Sequence, residues 1–255
     1  MGELLGAGFS VPPGFVVTTD AYRSLTDTPK IREGIDDLDG LDPAEAEELA
    51  ATAERVRSLV RDRAFEGGVA ESITDALDTD SDTSHAVRSS ATAEDLPSAS
   101  FAGQHETFLG VTEADVLSRV RDCMASLFTY RAVAYRARND VSNTDIAMAV
   151  VVQEMVDADV AGVLFTADPD TNNRTVASID ATYGLGDTVV SGEVSADNAR
   201  VEKETGEVLD CEAGPSTASC SRTGRTCTCA TNRNTRPPIS SRRDTERSNE
   251  RANTS

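Results

Sequence analysis

Residues 87–108 read VRSSATAEDLPSASFAGQHETF, and this stretch is the most informative part of the chain. An apolar lead-in is followed by Arg88, a run of small hydroxyl residues, the acids Glu94 and Asp95, and a small-residue loop around Gly103. Arginine presents a fixed fork of donors that suits phosphate oxygens. Nearby hydroxyls and unhindered backbone N–H groups can complete a cradle for an anion. The residue types alone also fit a simpler interpretation, in which Arg88 pairs with a carboxylate beside a capped turn.

The same stretch resembles, almost letter for letter, the nucleotide-binding segment of the phosphoenolpyruvate synthase (pyruvate, water dikinase) family. A motif of this length is far more specific than a short glycine pattern. Shorter segments resemble the same family, and the resemblance extends from residue 1 to about residue 210. These segments are residues 11–15 (VPPGF), residues 126–128 with Arg131, Tyr135 and Arg136, residues 153–156 (QEMV) and residues 184–187 (GLGD).

The resemblance implies an ATP site. Arg88 would be the main electrostatic contributor, with Gly103, Gln104 and Thr107 along the phosphates. The strand end Gln153, Glu154, Met155 and Val156 would hold adenine through backbone groups, although spacing alone favours an ordinary strand leaving the core. The set of ATP-binding residues that the resemblance implies is Arg88, Ser89, Ser90, Thr92, Gly103, Gln104, Thr107, Gln153, Glu154, Met155 and Val156. Glu94 and Asp95 would order the loop or approach metal-bound water.

The resemblance also implies an α+β, ATP-grasp-like fold with helices on antiparallel sheets and two lobes around the nucleotide. Apolar periodicity predicts a helix over residues 43–63 with Asp42 as N-cap and a buried face of Ala46, Leu49, Ala53, Val56 and Val60. A second helix is expected at residues 70–77, and one long helix at residues 112–138, whose stripe is Val116, Val120, Cys123, Leu127, Tyr130 and Ala134. Arg131 and Arg136 on that helix approach phosphate or pair with acids.

The apolar run at residues 146–152 predicts a strand buried on both faces. Further strands are expected at residues 160–166, 175–183, 194–201 and 206–209. His85 is expected at the surface or at the start of a strand, and His85 and His105 do not have the spacing of a metal site. Cys123 is expected to be a small core residue. The fragment Gly184-Leu185-Gly186 is expected to be a turn.

The composition narrows the functional class. The formal net charge is −20 over 255 residues, which is unlike a nucleic-acid binder with its basic stripe. Only Lys30 and Lys203 are lysines, and this acid-rich, lysine-poor composition indicates adaptation to high salt. No run of eighteen apolar residues is present, so we expect a cytoplasmic protein without a membrane span.

The composition changes near residue 210. Residues 211–255 contain eight arginines, four acids and one large aliphatic residue, Ile239. Such a segment cannot bury enough surface to offset the cost of ordering the chain. We therefore expect two parts: a truncated ATP-grasp nucleotide-binding domain over residues 1–210, and a disordered basic tail over residues 211–255. A reading-frame shift near codon 210, or a truncated gene, would explain such an out-of-frame tail. Metal binding by the tail cysteines is disfavoured, because neither a CxxC pair nor a histidine accompanies them.

The parent reaction that the resemblance implies is ATP, pyruvate and water giving phosphoenolpyruvate, AMP and phosphate. This segment would bind Mg²⁺–ATP and pass a phosphoryl group to a carrier histidine on a separate domain. The family's Gly–Gly–Lys loop, metal carboxylates and Gln-x-Arg-Pro segment have no match, so the chain alone is not expected to complete the reaction. A related dikinase-type phosphotransferase, such as pyruvate phosphate dikinase or an antibiotic-phosphorylating enzyme, and a non-catalytic nucleotide-binding remnant are the alternatives.

Overall fold

The computed structural model describes residues 2–77, 83–92, 106–186 and 195–214, and the backbone of residues 220–223 and 226–229. These residues group into two compact units, residues 1–156 and residues 157–255. Each unit contains an antiparallel sheet, and the chain as a whole contains both helices and strands. These observations confirm the α+β class.

The first unit begins with α1 (Gly2–Gly6), β1 (Gly14–Val17), α2 (Thr19–Thr26), α3 (Pro29–Gly40), α4 (Ala46–Asp62) and α5 (Val69–Asp75). It continues with β2 (His85–Ala91), β3 (Thr107–Val111), α6 (Glu113–Ala125), a short 3₁₀ turn at Ser126–Phe128, α7 (Tyr130–Arg138) and β4 (Met148–Glu154). The strand order is β1-β4-β2-β3, and every neighbouring pair is antiparallel.

Alternation along the strands gives this sheet two different faces. Val87, Val150 and Val152 are buried in the core, where α2, α4 and α6 pack. The residues between them in sequence, Arg88 and Val151 among them, lie on the opposite face, which is the open face of the sheet. Within the described residues, Met148, Val150 and Val152 are buried, whereas Ala149 and Val151 on the other face are half-buried. The expectation of a strand buried on both faces is therefore met fully on one face and only in part on the other.

Edge strand β1 approaches β4 very closely at Gly14. A Cβ at this position would lie 2.4 Å from the Val152 carbonyl oxygen, so only glycine fits there without a shift of the backbone. The turn signal Pro12-Pro13-Gly14 thus also sets the edge of the sheet.

Helix α4 begins three residues later than predicted, at Ala46 rather than residue 43. The Asp42 carboxylate accepts a hydrogen bond from the Ala44 N–H (2.8 Å), so Asp42 closes a turn before the helix instead of capping it. Leu49, Ala53, Val56 and Val60 are buried as predicted, whereas Ala46 is exposed in the first turn.

The single helix predicted over residues 112–138 is in fact two helices separated by the turn at Ser126–Phe128. The Ser126 hydroxyl donates to the Cys123 carbonyl (2.7 Å), and Thr129, in an extended conformation, caps α7 by accepting from the Ala132 N–H (3.4 Å). These hydroxyl bonds compete with helical continuation. After the break, the buried face of α7 does not continue the buried face of α6. Tyr130 is therefore exposed, whereas Phe128 is buried.

Helix α3 was not predicted. Its signal is present in the sequence, because Thr28 caps the helix by accepting from the Ile31 N–H (3.4 Å) and Pro29 occupies the first turn. Ile31, Ile35 and Leu38 are all buried and lie on one helical face. The threonine and proline at residues 28 and 29 therefore mark a helix start.

Arg136 is almost fully buried, with 1% exposure. Its Nε donates to the Asn143 side chain (2.9 Å) and its Nη2 to the Leu127 carbonyl. Burial lowers the pKa of Arg136 to about 10, which still leaves the guanidinium charged at neutral pH. Arg136 thus ties the turn at Ser126–Phe128 to the segment before β4. Its burial contradicts the phosphate-binding role. Among the described residues it forms no direct ion pair, although the negative charge of Asp39 acts to raise its pKa.

The second unit contains β5 (Val160–Phe165), β6 (Val176–Tyr183), β7 (Asp197–Glu202) and β8 (Val208–Glu212), paired in sequence order as an antiparallel sheet. The backbone of β9 (Cys220–Thr223) and β10 (Thr226–Cys229) forms a further antiparallel pair. Gly184 adopts a positive φ of 80°, consistent with the turn expected at Gly184-Leu185-Gly186. The rest of the predicted tail lies outside the described residues.

Candidate functional site

The open face of the first sheet carries one continuous row of four residues, one from each strand. Val16 pairs with Val151, Val151 with Arg88, and Arg88 with Thr107, in the order β1-β4-β2-β3. With about 4.8 Å between neighbouring strands, the row spans roughly 14 Å from Val16 to Thr107. One half of the row is apolar, and the other half offers a guanidinium and a hydroxyl.

Arg88 lies near the centre of this face and is exposed. Within the described ranges no carboxylate is close enough to form an ion pair with it. A guanidinium in this position can bind an anion with paired N–H donors. The geometry therefore provides a cation, supported by β-strands on both sides, that faces away from the core.

The neighbouring rows add polar groups to the same face. Ser90 is exposed opposite Ala149, and Gln153 lies opposite Ala86 and Gly14. Thr107 is also exposed. The structure thus brings together Arg88, Ser90, Thr107 and Gln153 of the predicted residues, and it adds the apolar pair Val16 and Val151. Val16 is 52% exposed although it is a large apolar residue in a strand.

Two predicted residues point elsewhere. Ser89 lies on the opposite face from Arg88, and its hydroxyl donates to the Glu106 carbonyl (3.0 Å). The Thr92 hydroxyl accepts from the Ala147 N–H (3.1 Å), and the Thr92 N–H donates to the Ala147 carbonyl (3.0 Å). These two hydroxyls bind backbone groups, so the geometry does not place them beside the Arg88 side chain.

The strand end at residues 153–156 is held by the surrounding loops. The Gln153 side chain donates to the Pro12 carbonyl (3.0 Å), the Glu154 N–H to the Pro13 carbonyl (2.9 Å), and the Met155 N–H to the Ser84 carbonyl (2.9 Å). Val156 is exposed and is the last residue of the first unit. Two of the backbone N–H groups predicted to meet adenine are therefore already bonded to protein carbonyls.

Gly103 and Gln104 lie outside the described residues, as do Glu94, Asp95 and His105. The structure therefore does not test the predictions made for these residues. His85, in contrast, is described: it is 5% exposed, and its Nδ1 has no hydrogen-bond partner within the described part of the chain. His85 is the first residue of β2, which confirms the alternative of a residue at the start of a strand. The surface alternative was wrong, because His85 lies on the core side of β2.

Two further sequence interpretations concern residues near this sheet. Arg131 is exposed on α7, away from any described ion pair. Cys123 is fully buried, and its thiol approaches the Glu106 carbonyl (3.6 Å). Burial, followed by the negative charges of Glu106 and Asp122, raises the pKa of Cys123 to about 12. Cys123 is thus a protonated core residue, as predicted.

The described residues contain no group of three or more His, Cys, Asp or Glu side chains arranged to hold a metal ion. None of the described helices is long and apolar enough to cross a lipid bilayer.

The sequence matches one known protein family over most of its length. Residues 1–243 match the family described as pyruvate phosphate dikinase, AMP/ATP-binding domain. This match continues past residue 210, where the resemblance carried by the motifs ends.

Individual relatives carry two different names. A rifampicin phosphotransferase of Streptomyces sviceus is 46% identical over 205 residues, covering 79% of this chain and 23% of that protein. A probable phosphoenolpyruvate synthase of Methanothermobacter thermautotrophicus is 42% identical over 222 residues, covering 84% of this chain and 32% of that protein. A probable phosphoenolpyruvate synthase of Methanocaldococcus jannaschii is 40% identical over 218 residues, covering 82% of this chain and 18% of that protein. The chain thus spans less than a third of the length of these relatives.

Proposed function

This chain belongs to the pyruvate phosphate dikinase AMP/ATP-binding domain family, and on that premise we propose that the open face of its first sheet binds ATP for phosphoryl transfer. The observation that carries the proposal is the row Val16–Val151–Arg88–Thr107, in which an apolar half adjoins an exposed guanidinium. A nucleotide has the same asymmetry, with a planar apolar end and a polyanionic end.

The role of each phosphate-binding residue follows from its chemistry. Arg88 neutralises phosphate charge with its guanidinium fork, and the hydroxyls of Ser90 and Thr107 donate to phosphate oxygens from the same face. Gly103 and Gln104 extend this cradle in the proposal. Phosphoryl transfer depends mainly on such positioning and charge neutralisation.

The adenine end of the site lies, in the proposal, at the strand end Gln153, Glu154, Met155 and Val156. The N–H groups of Glu154 and Met155 already donate to protein carbonyls. The Val156 N–H and the carbonyls of this segment are therefore the candidate contacts with the purine edge.

Titration of ATP into the purified chain tests the proposal. The measurement belongs at high salt, because the net charge of −20 repels a polyanion and salt screens that repulsion. Arg88→Ala removes a charge-assisted contact and is expected to weaken ATP binding by roughly ten-fold or more. Arg138→Ala is the matched control, since it removes one exposed arginine from the same unit.

The control variant is expected to bind ATP within about two-fold of the wild-type chain, since surface charges contribute little beyond a Debye length. Equal losses in both variants would mean that only net charge matters. An absence of ATP binding by the wild-type chain would contradict the proposal outright.

We further propose that the parent reaction is that of phosphoenolpyruvate synthase, with Mg²⁺ as the counter-ion of ATP and a carrier histidine supplied by a separate domain. The VRSSATAEDLP motif of residues 87–97 favours this choice over pyruvate phosphate dikinase, but antibiotic-phosphorylating enzymes share much of the same motif. Rifampicin phosphotransferase relatives of similar identity support the second candidate, transfer to an antibiotic. A non-catalytic nucleotide-binding remnant is the third, and location in the cytoplasm stays a prediction.

Chimeras separate these candidates. Residues 1–210 replace the matching segment of the Methanothermobacter synthase relative or of the Streptomyces rifampicin phosphotransferase relative, and AMP formation from ATP is measured with pyruvate or rifampicin. Activity only in the synthase chimera supports the first candidate, and activity only in the other supports the second. Activity in neither, beside working parent enzymes, favours the remnant.

The boundary near residue 210 and the out-of-frame origin of residues 211–255 stay proposals of their own. They rest on the loss of large apolar residues and the change from acidic to basic composition. Resequencing the gene across codon 210 tests them. A family-like acidic strand in another frame would support the frameshift, and a DNA sequence that confirms the chain with no such strand would refute it.

A further inference from the structure

Behind Arg88, on the core side of the sheet, several donors converge on one backbone oxygen. The Glu106 carbonyl accepts from the Ser89 hydroxyl (3.0 Å), from the Ser89 N–H (3.4 Å) and from the Cys123 thiol (3.6 Å). The raised pKa of Cys123 keeps that thiol protonated, so it remains a donor at neutral pH. Glu106 is thus held from β2 and from α6 at once.

The Glu106 side chain is fixed from a third element. Its carboxylate forms an ion pair with Arg57 of α4 (3.1 Å), and both side chains are partly buried. Arg57 also approaches Glu54 on its own helix (3.6 Å). Partial burial shields the Arg57–Glu106 pair from solvent more than a typical surface pair.

These contacts lie where the β2–β3 ladder is weakest. The pairing shifts between His85 and Val87, and β3 begins at Thr107, so only the pairs Val87–Phe108 and Arg88–Thr107 lie between the irregularity and the end of the strand. A ladder this short gains stability from the contacts just beyond it. Ser89 and Glu106 are the residues directly after Arg88 and directly before Thr107.

We propose that Ser89, Glu106 and Arg57 are positioning residues that hold Arg88 and Thr107 side by side on the open face. Ser89 then acts on the nucleotide through Arg88 and not as a phosphate ligand, because its side chain lies on the other face of the strand. This inference rests on the proposed ATP site, and it assigns Arg57, a residue of helix α4, to that site's support.

The first test is a double-mutant cycle on ATP affinity with the whole chain. Ser89→Ala removes the hydroxyl donor and is expected to weaken ATP binding about three- to ten-fold, whereas Ser89→Thr keeps a hydroxyl and is expected to restore most of the affinity. In an Arg88→Lys background the loss caused by Ser89→Ala is expected to shrink to less than about two-fold, because Ser89 acts through the arginine. Ser118→Ala is the matched control, since its hydroxyl also donates to a backbone carbonyl (2.8 Å), but on the exposed side of α6.

Arg57 is tested by a matched pair on one helix. Arg57→Gln breaks the pair with Glu106 and is expected to weaken ATP binding about two- to three-fold, as for a partly screened ion pair. Arg55→Gln breaks the pair with Asp37 (2.6 Å), away from the strand, and is expected to leave ATP binding unchanged. Equal effects of the two variants would overturn the assignment of Arg57.

Amide hydrogen exchange of the ligand-free chain makes the inference independent of ATP. Ser89→Ala is expected to speed exchange of the Ser89 amide, which donates to the Glu106 carbonyl, by roughly ten-fold, and Ser118→Ala is expected to leave it unchanged. If the wild-type chain binds no ATP, the proposed function fails, and exchange alone decides whether Ser89 holds the strand pair. Unchanged exchange, unchanged ATP affinity in Ser89→Ala, or a full additive loss with Arg88→Lys would each overturn the inference.

Discussion

The two units differ in how their sheets are stabilised. In residues 1–156, helices cover one face of the sheet and enclose a single cluster of buried apolar side chains. In the described part of residues 157–255, the sheet buries few apolar side chains, namely Val176, Ala177 and Val208. Leu164 there is 58% exposed, and Val160, Phe165 and Tyr183 are also exposed.

A polar cluster around Asp168 helps to hold the second sheet. Asp168 accepts from the Asp170 N–H (2.9 Å) and the Thr171 N–H (3.3 Å) and pairs with Arg200 of β7. Burial alone would raise the pKa of Asp168, but these hydrogen bonds and the Arg200 charge together lower it. The comparison teaches that strand pairing alone builds a sheet, whereas an enclosed core requires a second layer.

The largest expected effect concerns the buried guanidinium of the first unit. Arg136→Ala removes the charged donor of two hydrogen bonds, to the Leu127 carbonyl and the Asn143 amide oxygen. At about 1.5–3 kcal/mol for each such bond, it should cost about 3–5 kcal/mol of unfolding free energy. Arg200→Ala is the counterpart in the second unit, where Asp168 keeps its two backbone donors, so a smaller loss is expected. Urea unfolding followed by circular dichroism measures both, and a larger loss for Arg200→Ala would reverse the comparison.

Two leucine substitutions, one in each unit, test the same comparison. Leu49→Ala in α4 removes a fully buried side chain and is expected to cost about 2–4 kcal/mol. Leu164→Ala in β5 removes an exposed one and is expected to change the free energy of unfolding by less than about 0.5 kcal/mol. The same unfolding experiment applies. A large loss for Leu164→Ala would mean that this face of the second sheet is covered in solution.

The smallest effect is pH-dependent. Burial works to raise the pKa of Asp39, but hydrogen bonds from Ser142, Asn143 and Thr144 outweigh it and lower the pKa below its usual 3.8. A carboxyl with a depressed folded pKa contributes stability above its unfolded pKa, and that stability is lost as pH falls through the folded value. Because solvent screens this exposed carboxylate, Asp39→Ala is expected to cost only about 1 kcal/mol at pH 7.

The difference between Asp39→Ala and wild type should persist down to about pH 4 and then shrink as the pH falls below 3.8. Asp36→Ala, an exposed acid on the same helix, is the control and is expected to be nearly neutral. A difference that does not depend on pH would mean that Asp39 acts through packing and not through its charge.

Several features could be predicted from the sequence because their causes are local. The apolar spacing of Leu49, Ala53, Val56 and Val60 made them the buried face of α4, and the stripe from Val116 to Cys123 did the same for α6. The helix break at Ser126–Phe128 was not predicted, because it depends on the distant donor Arg136 and on the hydroxyls of Ser126 and Thr129.

In the candidate site, too, some residues could be predicted from the sequence and others could not. The motif identified Arg88, Ser90 and Thr107, and strand alternation alone could have placed Ser89 on the other face. Val16 and Val151 could not be found from the motif, since they come from strands far away in sequence and join Arg88 only through the register of the sheet.

By itself, the sequence determined the family, the mixed α+β class, the acidic character of the chain and the chemical groups of the nucleotide motif, because these follow from residue types and short-range spacing. The tertiary structure decided which face of each strand is covered, which hydroxyls bind backbone groups, and that Arg136 is a core residue. Those outcomes depend on contacts between residues far apart in the chain, such as Arg57 with Glu106 and Thr92 with Ala147, and no local pattern encodes them.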